Sequence, residues 1–302
     1  MATQGTLPLQ LDPLPAFAGV ASVRPGGVET RMLPAREVLN RRGRAWTVNP
    51  YRGCELGCLY CYGRSSHELL GWAGGDDFER RIFVKQGAAR ALERRLRKSA
   101  RPGQRIVVGT VTDPYQPVER RHRVTRELLE TFDRFEGLTL AVATRSPLVL
   151  RDIELLARLN RKHAVEVRIA VATVESDLAT RLEPGSPAPA ERLRAAAEIA
   201  GRGVPVAIDC MPLLTGVNAG SRQLLPLFDA AESVGAFDLE TEPLVLRTPV
   251  RARFWRWLRR EYPHLEPRYR RLYRSRSTLS RRDAERVTSI FRRLKLERGF
   301  PR

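Results

Sequence analysis

Three of the four cysteines in this 302-residue chain, Cys54, Cys58 and Cys61, fall within eight residues of one another. Thiolates are soft metal ligands, and three held this close repel one another unless a cation neutralises them. Gly53 and Gly57 let the backbone turn beneath the sulfurs. The spacing points to a metal centre, and two kinds compete. An iron–sulfur cluster held by three cysteines keeps one iron open for a non-protein ligand. A structural zinc site would recruit a fourth donor, and His67 would complete a Cys3His set. Disulfides fit poorly with an odd count in the loop and no secretory segment ahead of it.

The stretch NPYRGCELGCLYCYG, residues 49–63, resembles the signature of the radical S-adenosylmethionine (radical SAM) superfamily. That signature is Cys-x3-Cys-x2-Cys with an aromatic, here Tyr60, before the last Cys. Tyr62 and the later segments TVTDPYQPVE and ATRSPL look like the branch related to spore photoproduct lyase, a DNA repair enzyme. The resemblance runs from about Thr47 to Asn218. It implies a [4Fe–4S] cluster on Cys54, Cys58 and Cys61 whose open iron binds S-adenosyl-L-methionine (SAM). Reductive cleavage of SAM would yield a 5′-deoxyadenosyl radical that abstracts hydrogen from a substrate. An external one-electron reductant, a flavodoxin or ferredoxin, is implied as partner.

The same resemblance assigns residues to the cofactor. Thr112 and Asp113 fall where the branch holds the methionine end of SAM, and a carboxylate there suits an ammonium on charge grounds. Arg145 falls where relatives carry Lys and would pair with the SAM carboxylate as a bidentate fork. Ser146 would reach the ribose, and the segment containing Leu213 would lie against the adenine. Tyr62 matches a tyrosine implicated in a hydrogen relay. Thr110 departs from the pattern: the lyase branch has a hydrogen-donating Cys there, and the Thr O–H bond is too strong for that role. Cys210, inside an apolar run, reads as a small buried hydrophobe.

These residues need elements to position them. Hydrophobic patterning predicts strands ending at Trp46–Val48 and over Ile82–Val84, Arg105–Val111, Leu138–Thr144, Val165–Val174, Val204–Met211 and Phe237–Leu246. Helices are predicted over Gly87–Ser99, Thr125–Phe135, Leu148–Asn160, Ala190–Arg202 and Leu224–Val234. Strand and helix alternate with short connections, which argues for a parallel sheet with right-handed crossovers. About six units are too few for a closed eightfold barrel, so an open, partial (β/α)6 barrel is expected. In such sheets chemistry sits at the carboxyl ends of the strands. Thr112-Asp113, Arg145-Ser146 and the Leu213–Asn218 segment each follow a predicted strand.

Apolar content of 42% and charged content of 29% are those of a globular protein, and no run is long enough to cross a membrane. The N-terminus lacks the pattern of a signal peptide, so a cytoplasmic location is expected. Residues 1–46 read as an irregular arm, 47–248 as the radical SAM core and 249–302 as a basic helical extension. The last 54 residues hold +13 of the net charge of +19, and a localised basic patch suits a polyanion such as DNA or RNA. Trp255, Tyr269 and Tyr273, interleaved with Arg, suit base stacking or a core equally well. The rival reading is a non-catalytic nucleic-acid-binding protein with a structural zinc or iron–sulfur site.

Overall fold

Alternate residues of the central strands are apolar and converge on one core. Ile106, Val108, Leu140, Val142, Val167, Ile169, Val206 and Ile208 are all buried in it. Successive side chains on a strand point to opposite faces, so Thr47, Val107, Ala141, Arg168, Ala207 and Asp209 line the other face. That face is lined mainly by small and polar residues, the apolar one is covered by helices, and the strands are too short to carry a long signal.

The computed structural model describes residues 22–23, 27–43, 45–68, 71 and 75–301. Among them the strands are β1 Ser22–Val23, β2 Glu29–Pro34, β3 Leu39–Arg42, β4 Ala45–Val48, β5 Tyr51–Arg52 and β6 Arg81–Gln86. They continue with β7 Arg105–Val108, β8 Thr139–Thr144, β9 Ala164–Ala170, β10 Val206–Asp209 and β11 Asp238–Glu240. The main sheet has the order β11-β10-β9-β8-β7-β4-β3. Its strands β4 and β7 to β11 are parallel, with Thr47 opposite Val107, Val107 opposite Ala141 and Ala141 opposite Glu166. Six parallel strands in chain order, joined through helices and not closed, form a partial (β/α)6 barrel.

Three expectations change. The arm read as irregular supplies strands to both sheets: β3 pairs antiparallel with β4, and β2 pairs parallel with β6. Its strands are short and rich in Arg and Pro, so the alternation is too brief to read; residues 1–21 lie outside the described residues. The strand at Ile82–Val84 exists as β6 but belongs to a separate sheet, β1-β2-β6-β5. Four strands end early, β9 at Ala170 and β10 at Asp209 among them. β7 stops at Val108 because Gly109 turns at φ 91°, where a Cβ would sit 2.5 Å from the Ala143 carbonyl oxygen. β11 covers only Asp238–Glu240, and beyond it the chain keeps one isolated bridge, Leu213 to Pro243, where proline offers no N–H to a ladder.

The C-terminal residues form helices Thr248–Glu261, Glu266–Leu272 and Arg281–Glu297. The first two pack over the cysteine loop: Phe254, Trp257, Leu258, Tyr269 and Tyr273 share a second core with Cys54, Leu56, Cys58 and Tyr60. The last helix joins the main core through Val287, Phe291 and Leu294. Tyr269 and Tyr273 are 1% and 2% exposed, so they are core residues and offer no stacking platform. No helix among the described residues is long and apolar enough to cross a membrane.

Candidate cluster and cofactor site

The cysteine loop leaves β5 and is anchored at each of its turns. Gly53 turns at φ 81°, where a Cβ would lie 2.4 Å from the Arg81 carbonyl oxygen, so glycine is required. Cys54 N donates to Phe78 O at 2.9 Å, Leu59 N to Leu182 O at 2.8 Å, and Gly185 N to Leu56 O at 3.0 Å. Asn49 joins the loop to the end of β7: its Oδ1 accepts from Val111 N at 2.8 Å and its Nδ2 donates to Thr110 Oγ1 at 3.2 Å. Arg64 lies wholly buried beneath the loop. It donates to Cys58 O at 3.1 Å and Gly75 O at 2.9 Å, and pairs with Glu79. Arg253 of the first C-terminal helix reaches the same Glu79 at 3.1 Å.

Cys54 and Cys58 are buried and Cys61 is half-buried, all as free cysteines. Burial pushes the Cys58 thiol up to about 12, with Glu183 and Cys61 adding to it against Arg145. Burial also raises Cys54, reinforced by Asp113, Cys61 and Cys58. Thiols gathered this closely become thiolates together only around a cation, which is the donor set a cluster needs. Among the described residues no three His, Cys, Asp or Glu side chains converge as closely as one metal ion requires. An iron–sulfur cubane, having corners, spreads its ligands wider than a single ion. His67 faces elsewhere: its Nε2 is 3.2 Å from the Arg81 carbonyl and its ring lies against Phe78 and Phe83. The Cys3His zinc reading is thereby set aside.

The strand-end residues do gather beside this loop, but most of their polar atoms are already engaged. Thr112 Oγ1 donates to Tyr51 O at 3.2 Å. The Asp113 carboxylate accepts from Tyr115 N at 2.8 Å, Thr144 Oγ1 at 2.7 Å and Arg145 N at 2.7 Å, joining the ends of β7 and β8. Burial nevertheless raises its carboxyl above the usual range. Ser146 Oγ accepts from Leu148 N at 3.3 Å, capping the turn that follows. Leu213 is buried, its N donating to Glu242 O at 2.8 Å. The Tyr62 hydroxyl donates to the Thr110 carbonyl and accepts from Arg42 at 3.2 Å.

Glu183 is the residue that sequence reasoning missed. This buried carboxylate accepts from the Tyr60 hydroxyl, lies 3.2 Å from Arg145 Nε and pairs with the buried Arg192 at 2.5 Å. Burial raises its carboxyl, but Arg192, Arg145 and the Tyr60 hydrogen bond together hold it below the usual range. No motif surrounds it. Its partners lie 123 residues away at Tyr60 and 38 at Arg145, a distance only the fold closes. Cys210 is fully buried in the main core, in keeping with a small hydrophobe.

The family model for the radical SAM superfamily matches residues 48–225. The chain belongs to the radical SAM superfamily. Members of this superfamily use a [4Fe–4S] cluster and SAM, and the three free thiols of the loop, two of them buried, fit that cluster. An uncharacterised protein of Mycobacterium tuberculosis is 32% identical over 229 residues, 76% of this chain and 67% of its own length. An uncharacterised protein of Methanocaldococcus jannaschii is 28% identical over 153 residues, covering 51% of this chain and 54% of its own. In fold, the chain is similar to spore photoproduct lyase complexed with dinucleoside spore photoproduct: TM-score 0.67, 18% identity, 90% of this chain and 80% of the other. It is also similar to Streptococcus suis SuiB bound to S-adenosylmethionine: TM-score 0.55, 14% identity, 84% and 48%.

Proposed function

We propose that this protein is a radical SAM enzyme acting on a nucleic acid, with Cys54, Cys58 and Cys61 as the cluster ligands. The observation that carries the ligand assignment is the sealed loop itself: three free thiols, two of them buried, braced from below by Arg64 and from above by the C-terminal helices. When bound, the cluster and SAM supply a 5′-deoxyadenosyl radical by one-electron reductive cleavage.

The chain's own residues bind and orient. Arg145, held by Glu183 beside Cys58, offers its remaining N–H groups to the SAM carboxylate. Asp113 has most of its acceptor capacity committed, so it positions Arg145 through the backbone bond and retains one lone pair for the ammonium. Tyr60 is oriented by Glu183, and Thr112 by Tyr51. Ser146 and Leu213 lie at strand ends that would meet the ribose and adenine. Tyr62, donating to the Thr110 carbonyl beside Arg42, is the candidate for moving a hydrogen between substrate and protein, because Thr110 itself is no hydrogen-atom donor.

Two observations favour a nucleic-acid substrate. Arg268, Arg271, Arg274, Arg276, Arg282 and Arg286 on the C-terminal helices and their connection are exposed, with no carboxylate partner among the described residues. A solved protein of the same fold is bound to a dinucleoside photoproduct. The protein is expected in the cytoplasm with a flavodoxin or ferredoxin as reductant. Anaerobic purification followed by iron and sulfide analysis tests the reading, with SAM cleavage assayed under dithionite. About four irons per chain and deoxyadenosine formation, both lost in Cys58→Ala, are expected. A colourless protein that stays so after reconstitution would overturn it.

A further inference from the structure

We propose that the segment Pro184–Pro187 and the basic turn Arg120–Arg123 together form the docking surface for an acidic one-electron carrier protein. The inference rests on the cluster assignment above. The segment lies directly on the cysteine loop: Gly185 N bonds Leu56 O at 3.0 Å, and Ser186 Oγ is 4.0 Å from Cys58 Sγ. On its outer side Pro184 and Gly185 are exposed. This short, partly exposed segment therefore lies between the Cys58 sulfur and solvent. Electron transfer slows steeply with distance, so a donor does best where the intervening protein is thinnest.

The same place carries a run of exposed positive charge. A cleft of about 300 Å³ runs between Leu56, Tyr115, Pro117, Arg120, Ser146 and the Pro184–Pro187 segment. Arg120, Arg121 and Arg123 at and beside its rim are exposed and pair with no carboxylate among the described residues. The adjacent Glu119 does not neutralise them. It is buried and committed to Tyr51, Arg151 and Thr125 N. Glu191 is occupied by Ala188 N at 2.9 Å. Tyr115 is wholly buried, so the cleft offers no exposed aromatic to stack a base. An acidic carrier fits both features, steered by long-range attraction to a chain of net charge +19. In the step one electron leaves the carrier, which is oxidised, and enters the cluster, which is reduced; no bond forms and no proton moves.

The test compares the anaerobic holoenzyme with R120E/R121E, using flavodoxin hydroquinone as the protein donor and dithionite as the small-molecule control. Cluster reduction is followed by stopped-flow absorbance and electron paramagnetic resonance, and flavodoxin affinity by titration at low and high salt. The variant should be reduced roughly ten-fold more slowly by flavodoxin and bind it roughly ten-fold more weakly at low salt, the gap closing as salt rises. Iron content and the dithionite rate should not change. Equal flavodoxin rates in the two proteins would overturn the proposal. So would a loss confined to single-stranded DNA binding, which would assign the surface to nucleic acid. A wild type with no dithionite-reducible cluster would bring down the cluster assignment first, and this surface with it.

Discussion

Glu183 shows how one side chain organises the cofactor side of the loop. It is the shared acceptor for Tyr60, Arg145 and Arg192, the last wholly buried and also bonded to the Ala170 and Pro187 carbonyls. Replacing it by Gln leaves a buried guanidinium without its counter-charge. Glu183→Gln is expected to cost roughly 3–5 kcal/mol, read as a shift in the urea unfolding curve. The pH dependence carries a definite sign. A carboxyl whose native value is depressed contributes stability that is present above its ordinary value near 4.5 and is lost as pH falls through the native one. Wild type should therefore lose stability on acidification below that value more steeply than Glu183→Gln does. Parallel curves for the two proteins would place the charge elsewhere.

Among elements, the helix Thr248–Glu261 separates two roles that the sequence runs together. Its Phe254 belongs to the core shared with Cys54 and Cys58, and its Arg253 closes the chain from Glu79 through Arg64 to the Cys58 carbonyl. The last helix instead packs Phe291 against Phe228 in the main core, with ring centroids 5.1 Å apart. Phe254→Ala and Phe291→Ala should each destabilise by roughly 3–5 kcal/mol. They should differ in iron retention: Phe254→Ala is expected to lose iron faster on exposure to air, while folded Phe291→Ala keeps the wild-type rate. Equal rates would show that the first helix contributes packing without sealing the loop.

At the scale of the whole molecule, charge distribution matters more than net charge. Many of the tail's arginines are neutralised locally, as Arg253 is by Asp76 and Glu79 and Arg298 by Asp229 and Glu232. Arg282, Arg286 and Arg292 remain exposed without such partners among the described residues. Each phosphate contact contributes about one unit to the slope of log affinity against log salt. The triple change to Ala is therefore expected to flatten that slope for a DNA oligonucleotide by about three units if all three arginines contact phosphate. Affinity should fall across sequences alike. An unchanged slope would make these arginines an ordinary solvated face.

The cysteine spacing and its flanks determined the family, and short apolar runs alternating with helical patterns determined the parallel strands, because both are local properties of the chain. Tertiary structure decided what local pattern does not encode. Short strands β2 and β3 were legible only through their partners, β6 and β4. Tyr269 and Tyr273, ambiguous as aromatics among arginines, became core once the helices folded back over Cys54 and Cys58. Asp113, chosen for its charge, spends that charge on Tyr115 N in its own turn and on the Thr144 hydroxyl and Arg145 N at the neighbouring strand end. Glu183 became visible only when the fold carried it across 123 residues to Tyr60. A buried ion network has no spacing rule, since its members come from whichever segments the core brings together.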